Sequence, residues 1–220
     1  DNLKPFQYEV GENFRANFHL HTQASDGELT AKEFLEQCLK WANEIFKSGK
    51  TKDGLPAFSA AITDHDNVQS VKKAIALISQ EPDKYKNFKF VSGCEFLLHG
   101  YDVPYSGFEA VGLGFNPFDK NLAPLMKGCC SNNHVSDIKK ITDAGGILSW
   151  AHPLITPDKL NNHFFEFLKK HGINGVEGNY QYCKWDNEYI MSIKPRLDGF
   201  IKKFQMFVTG GTDSHRKTIF

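Results

Sequence analysis

With 220 residues, 40% of them hydrophobic and 13% aromatic, the chain carries enough apolar side chain for one packed core of the size an α/β barrel needs, which excludes a disordered sequence. Lys and Arg number 26 against 26 Asp and Glu, so no global field draws in a long nucleic acid or an anionic membrane, and an anionic partner must be held locally. No apolar run approaches the roughly 20 residues that cross a bilayer, and five cysteines without a Cys-x-x-Cys pair speak against a disulfide framework or a zinc finger.

A strand is predicted over residues 14–20, running into His19-Leu20-His21 and the acidic turn Ser25-Asp26-Gly27. Successive strand side chains take opposite faces, so the two histidines leave one face together and are spaced to grip one ion. Thr30-Ala31-Lys32-Glu33 reads as a capping box opening a helix with the apolar face Phe34, Leu35, Cys38, Ala42, Ile45 and Phe46. A second strand over 57–63 ends in Thr63-Asp64-His65-Asp66. Val68, Val71, Ile75 and Ile78 mark the next helix, closed by Glu81-Pro82-Asp83. The third strand, 88–94, ends in Glu95, and Cys94 beside it faces the other way, as a buried small side chain.

A fourth strand covers 107–115, and Val135, Ile138 and Ile141 lie on a helix stopped by Gly145-Gly146. The fifth strand, 147–151, ends in His152-Pro153. Leu160, Phe164, Phe167 and Leu168 give the next helix, 173–177 the sixth strand, and Ile190 to Phe204 the last helix, kinked at Pro195. The seventh strand, 206–209, ends in Gly210-Gly211-Thr212-Asp213-Ser214-His215. His163 and His171 read as surface residues, and Trp150 and Tyr180 as core packing.

Seven strands alternating with helices predict parallel pairing and a (β/α)7 barrel, with no internal repeat or linker dividing residues 1–220. Five of the seven strands end in His or acidic residues. In a barrel those ends share one rim, where active sites of such folds are built. Each residue alone would pass for a turn or a helix cap, Asp64 and Asp213 especially; in register they predict one site. His and carboxylate donors together suit Zn, Mn or Fe better than Ca or Mg.

As a set, His19-Leu20-His21 with Ser25-Asp26-Gly27, Thr63-Asp64-His65-Asp66, Gly93-Cys94-Glu95, Ala151-His152-Pro153, Gly175-Val176-Glu177 and Thr212-Asp213-Ser214-His215 resemble a PHP-domain (polymerase and histidinol phosphatase) metal-dependent phosphoesterase. The resemblance implies a single domain over 1–220, a distorted (β/α)7 barrel, and two or three divalent metals (Zn, Mn or Fe) at the strand C-terminal ends. It implies that His19, His21, Glu95 and Asp213 hold one ion, that Glu95 and His152 share a second, and that Asp26, His65 and His215 hold a third. The family's further ligand for the second ion has no His at its usual place. His134 is the expected substitute, with Glu109 and His99 as rivals.

The activity so implied is hydrolysis of a small phosphate ester, nucleotide-like or another metabolite phosphate. Glu95, Asp213, His215 and Arg216 are expected to carry it, Arg216 by clamping a phosphate. Histidinol-phosphate hydrolysis or a 3′-exonuclease are the alternatives in chemistry, and an idle metal-bound scaffold the alternative in kind. The expected partner is a small phosphorylated substrate, without long nucleic acid or membrane, in the cytoplasm, with a leader removed ahead of Asp1 left open. The sequence assigns no oligomeric state.

Overall fold

The computed structural model describes residues 15–49, 51, 56–98, 107–127, 133–180 and 187–219. The first helix, α1 (Ala31–Lys47), opens where the sequence places a capping box. The Glu33 N–H donates to the Thr30 hydroxyl at 3.2 Å, and the Thr30 N–H donates to the Glu33 carboxylate at 2.8 Å. Such a cap stabilises a helix by about 1 kcal/mol. Phe34, Leu35, Cys38 and Ala42 are buried on its inner stripe. The other helices are α2 (Gln69–Gln80), α3 (His134–Asp143), α4 (Asn162–Lys170) and α5 (Asn187–Phe204), the last with Pro195 inside it. Among the described residues, no helix is long and apolar enough to cross a membrane.

Seven strands form one sheet in chain order: β1 (Ala16–Asn17), β2 (Phe58–Ile62), β3 (Phe88–Leu98), β4 (Phe108–Leu113), β5 (Ile147–Trp150), β6 (Gly175–Tyr180) and β7 (Phe207–Gly211). The sheet is barrel-shaped and nearly closed. Past β1 the chain runs beside the end of β7: the Phe18 N–H donates to the Gly210 carbonyl, Asp213 N–H to His19 and His21 N–H to Ser214, at 2.9 to 3.1 Å. The Asn17 amide stitches the same seam, donating to Thr212 Oγ1 at 2.9 Å and to the Ile219 carbonyl at 2.7 Å. Gly211 lies so close to His19 here that an added Cβ would stand 2.3 Å from the His19 Cβ.

The expectation of uniformly parallel pairing is corrected at β4, which runs antiparallel to both β3 and β5; the other neighbouring pairs are parallel. Chain length explains the reversal. Only residues 99–107 separate β3 from β4, fewer than the dozen or so a parallel crossover requires. The consequence for the rim is direct: the N-terminal end of β4 meets the C-terminal end of β3, with Glu109 paired to Leu97.

The core has two parts. The larger packs the helices onto the outside of the sheet, and a smaller cluster of Ala61, Val111, Leu113 and Ala151, flanked by Phe18 and Val91, fills the barrel. The alternation that turns Val91 inward also turns Glu95 inward. That of Val111 and Leu113 does the same for Glu109, so the barrel floor continues up each strand into a polar side chain at the rim.

Candidate metal centre

The centre starts from the turn after His21. Thr22 N–H and the Ser25 hydroxyl donate to Asp64 Oδ1 at 2.6 and 2.7 Å, and the Thr22 hydroxyl donates to Asp64 Oδ2 at 2.7 Å. Asp64 is fully buried, and these donors use both its oxygens. It therefore acts as a clamp on the His-x-His turn. Gly27 lets that turn fold back on itself, since a Cβ there would lie 2.4 Å from the His21 carbonyl.

His19 and His21 are buried on one side of the chain, with Leu20 in the apolar core on the other. The His19 Nε2 atom lies 3.2 Å from Glu95 Oε2 and 3.3 Å from Asp213 Oδ1; His21 Nε2 lies 3.3 and 2.9 Å from the same two oxygens. Glu95, 1% exposed, is the hub of the whole cluster. Its Oε2 also lies 3.2 Å from His65 Nδ1, while its Oε1 lies 2.9 Å from His152 Nε2. Glu109 Oε2 approaches His152 Nε2 to 3.3 Å. On the outer side, Asp26 Oδ2 lies 3.2 Å from His215 Nε2 and 3.8 Å from His65 Nε2, and Asp26 Oδ1 lies 3.5 Å from His21 Nδ1.

Three groups thus bring ligand-type atoms within 4.8 Å of one another: His19, His21, Glu95 and Asp213; His65, Glu95 and Glu109; and His21, Asp26, His65 and His215. Their fit to cations can be tested on the inner group. His19 Nε2, His21 Nε2 and Asp213 Oδ1 are buried and converge, yet form no hydrogen bonds. Polar atoms left so are costly unless something charged sits between them. A divalent ion satisfies that requirement, and imidazoles and carboxylates are donors that can hold one.

The titration of these groups reflects the same crowding. Burial would lower the His19 and His21 imidazoles, but Glu95 and Glu177 hold His19 well above the ordinary value, and Asp213 and Glu95 hold His21 at about 9. Burial would likewise raise Glu95, but His19, His152 and His21 keep it well below the usual carboxylate range. Glu109 goes the other way, pushed up by burial and by the charge of Glu95. Burial also lifts the Asp66 carboxyl to about 6.

Most of the expected site residues come together here: His19, His21, Asp26, His65, Glu95, His152, Asp213 and His215. Of the three candidates for the place beside His152, Glu109 lies 3.3 Å from it; the side chain of His134 and all of His99 lie outside the described residues. Arg216 is exposed, and among the described residues its guanidinium makes no ion pair or hydrogen bond.

Two participants are not among the expected metal-binding or catalytic residues. Glu177 is buried, accepts the His19 Nδ1 hydrogen bond at 3.0 and 3.2 Å through its two oxygens, and accepts the His152 backbone N–H at 2.9 Å through Oε2. Its signal was its position at the inner end of the sixth strand. Tyr180, expected as core packing, donates its hydroxyl to Asp213 Oδ2 at 2.6 Å and stands edge-on to His152, with ring centroids 5.4 Å apart.

The backbone is bent to these ends. Asp66, His152 and Asp213 all have positive φ, of 43°, 29° and 48°, a conformation costing a non-glycine residue of order 1–3 kcal/mol. By contrast, a groove of about 750 Å³ at the opposite rim, lined by Phe46, Ile75, Ile78, Tyr85 and Phe88 among others, has no His or carboxylate among the described residues of its wall.

No protein-family model matches the sequence, and no curated protein matches it significantly. Among solved structures, the fold is similar to that of an amidohydrolase from Chromobacterium violaceum, solved with bound sulfate and no metal. The TM-score is 0.62 at 14% identity, over 92% of this chain and 88% of that one. At that identity the likeness is one of fold: a mixed α/β, barrel-shaped architecture.

Proposed function

We propose that this protein is a metal-dependent hydrolase of small-molecule phosphate esters, using two or three divalent ions (Zn, Mn or Fe) at the barrel rim. The observation that carries this reading is Glu95. It is buried, it is held ionised, and its two oxygens face four imidazoles, Oε2 toward His19, His21 and His65 and Oε1 toward His152. A carboxylate so placed suits a bridge between two dications.

His19, His21, Glu95 and Asp213 would hold one ion, Glu95, His152 and Glu109 a second, and Asp26, His65 and His215 a third. When bound, such ions supply charge neutralisation at the reacting phosphoryl group and a nucleophile available at neutral pH. The chain prepares the donors. Glu177 keeps a proton on His19 Nδ1, which turns the Nε2 lone pair toward Glu95 and Asp213; the Asp213 carbonyl does the same for His215, accepting from Nδ1 at 2.9 Å. Arg216, exposed next to His215, is a cation available to a phosphate oxygen.

Charge favours phosphate over a neutral substrate. With three dications bound, the four ligand carboxylates Asp26, Glu95, Glu109 and Asp213 would leave a positive surplus that suits a phosphate dianion better than a neutral amide; with two, the ligand charges would balance. The resemblance to PHP-domain enzymes supports the same chemistry, and the even overall charge favours a metabolite or nucleotide phosphate over a long nucleic acid. A second reading, hydrolysis of a C–N bond, is favoured by the description of the structural neighbour as an amidohydrolase.

The test is release of phosphate or nitrophenol from p-nitrophenyl phosphate, bis(p-nitrophenyl) phosphate and a metabolite-phosphate panel, beside p-nitroanilides, using protein of measured metal content. Turnover confined to the phosphate esters is expected. Turnover of anilides alone would transfer the assignment to amide hydrolysis, and a metal-loaded protein inert to both would leave a binding scaffold.

A further inference from the structure

We infer that Tyr180 is a positioning residue for Asp213, turned into the centre by a bulge in β6. The inference rests on the metal-centre reading above. Along a regular strand, Glu177 and Asn179 would share the inner face and Tyr180 would point outward. The pairing with β7 breaks that alternation: Glu177 pairs with Thr209 and Asn179 with Gly210, so β6 has one residue more than its partner, at Gly178. A bulge of this kind re-aims the side chains that follow it. Here Asn179 is exposed, and Tyr180 comes to lie with its ring against His152 and, at 6.2 Å between centroids, against His19. The residue at the bulge is small for a reason, since a Cβ on Gly178 would come within 2.9 Å of Val208.

The consequence falls on Asp213. Its Oδ2 accepts the Tyr180 hydroxyl at 2.6 Å, which leaves Oδ1 as the oxygen facing His19 and His21. Asp213 lies on a backbone of positive φ, just beyond the end of β7. The phenol therefore does two things: it stops the carboxylate rotating, and it restricts Asp213 to one ligand oxygen. Glu177 and Tyr180 together make β6 a strand that orients ligands lying beyond β1, β5 and β7.

The test is titration of metal-free wild-type, Tyr180→Phe and Tyr180→Leu proteins with Co(II), followed by the visible absorption of the bound ion and by calorimetry. Melting of the metal-free proteins serves as the control for folding. The expected result is that one ion binds about 10–100-fold more weakly in both variants, the usual cost of losing an outer partner of a ligand. Its absorption band should also change, because Asp213 is freed to use both oxygens. Tyr180→Phe keeps the ring, so a Phe variant with wild-type affinity and spectrum beside an impaired Leu variant would overturn the inference and leave only ring packing. Wild-type protein that binds no Co(II) would overturn the metal-centre reading and this inference with it.

Discussion

On one side of Glu95, His19 and His21 are buried, and His19, Asp213 and the His21 turn are each held from behind, whereas around Asp26 the ligands stand partly in water. His19 is backed by Glu177, Asp213 by Tyr180, and the His21 turn by Asp64, all at hydrogen-bond distance. Asp26 and His65 are 56% and 38% exposed, and His215 alone in that group is oriented, by a backbone carbonyl. The difference teaches that the two ends of one cluster can serve different purposes. Rigid, dry donors give a preorganised position that hardly relaxes when its ion leaves, while hydrated donors at the rim exchange their ion with solvent more readily. The buried hydrogen bonds from Glu177, Tyr180 and Asp64 accordingly all serve the inner end.

The largest effect should come from Glu95→Gln, which removes the charge shared by the inner positions. An amide nitrogen is a poor donor, so metal content by elemental analysis should fall, and turnover should drop by more than the ~100-fold typical of losing an outer partner. Wild-type turnover in this variant would dismantle the centre as drawn. Complete chelation comes next. Ions that bind only the folded state at about 1,000 times their Kd stabilise it by ~4 kcal/mol each, which for a chain of this size corresponds to a melting temperature lower by roughly 10 °C for each ion that EDTA removes. An unchanged melting temperature would show that the rim is held without metal.

Glu177→Gln should sharpen the contrast from the inner side. It removes the negative charge behind His19 and leaves one amide oxygen where two carboxylate oxygens accepted from Nδ1, so affinity for one ion should fall about 10–100-fold, measured by competition with a chromogenic chelator. Asp26→Ala probes the outer side and should be milder, releasing one ion while the others stay, as native mass spectrometry would count them. Equal losses from the two substitutions would erase the distinction between buried and hydrated ends.

The pH dependence is the smallest effect and has a definite sign. His21 is held at about 9 in the folded chain against 6.5 for an ordinary histidine. Its protonated form therefore stabilises the metal-free fold fully below pH 6.5, and that contribution is lost as the pH rises through about 9. Metal binding must displace the same proton, so the rise in melting temperature on adding Zn should grow between pH 6.5 and 9. A constant increment across that range would mean that His21 binds no ion.

Much of the centre is legible in the sequence because its signals are local. The alternation of a strand places His19 and His21 on one face, the Thr30 to Glu33 spacing opens α1, and ligand types at the ends of successive segments predict a shared rim. These depend on neighbouring residues and on the periods of helix and strand, which hold wherever the segment comes to lie. What only the tertiary structure decided depends on chain direction and on distance. Whether β4 runs up or down is set by the few residues joining it to β3, and that direction brings Glu109 to His152 from the start of its strand. The bulge that turns Tyr180 inward exists only against β7. Asp64, which the sequence leaves as a turn residue, becomes the clamp on Thr22, 42 residues away. Glu177 reaches His19 across 158 residues because barrel closure lays β6, β7 and β1 side by side, a proximity that no local pattern encodes.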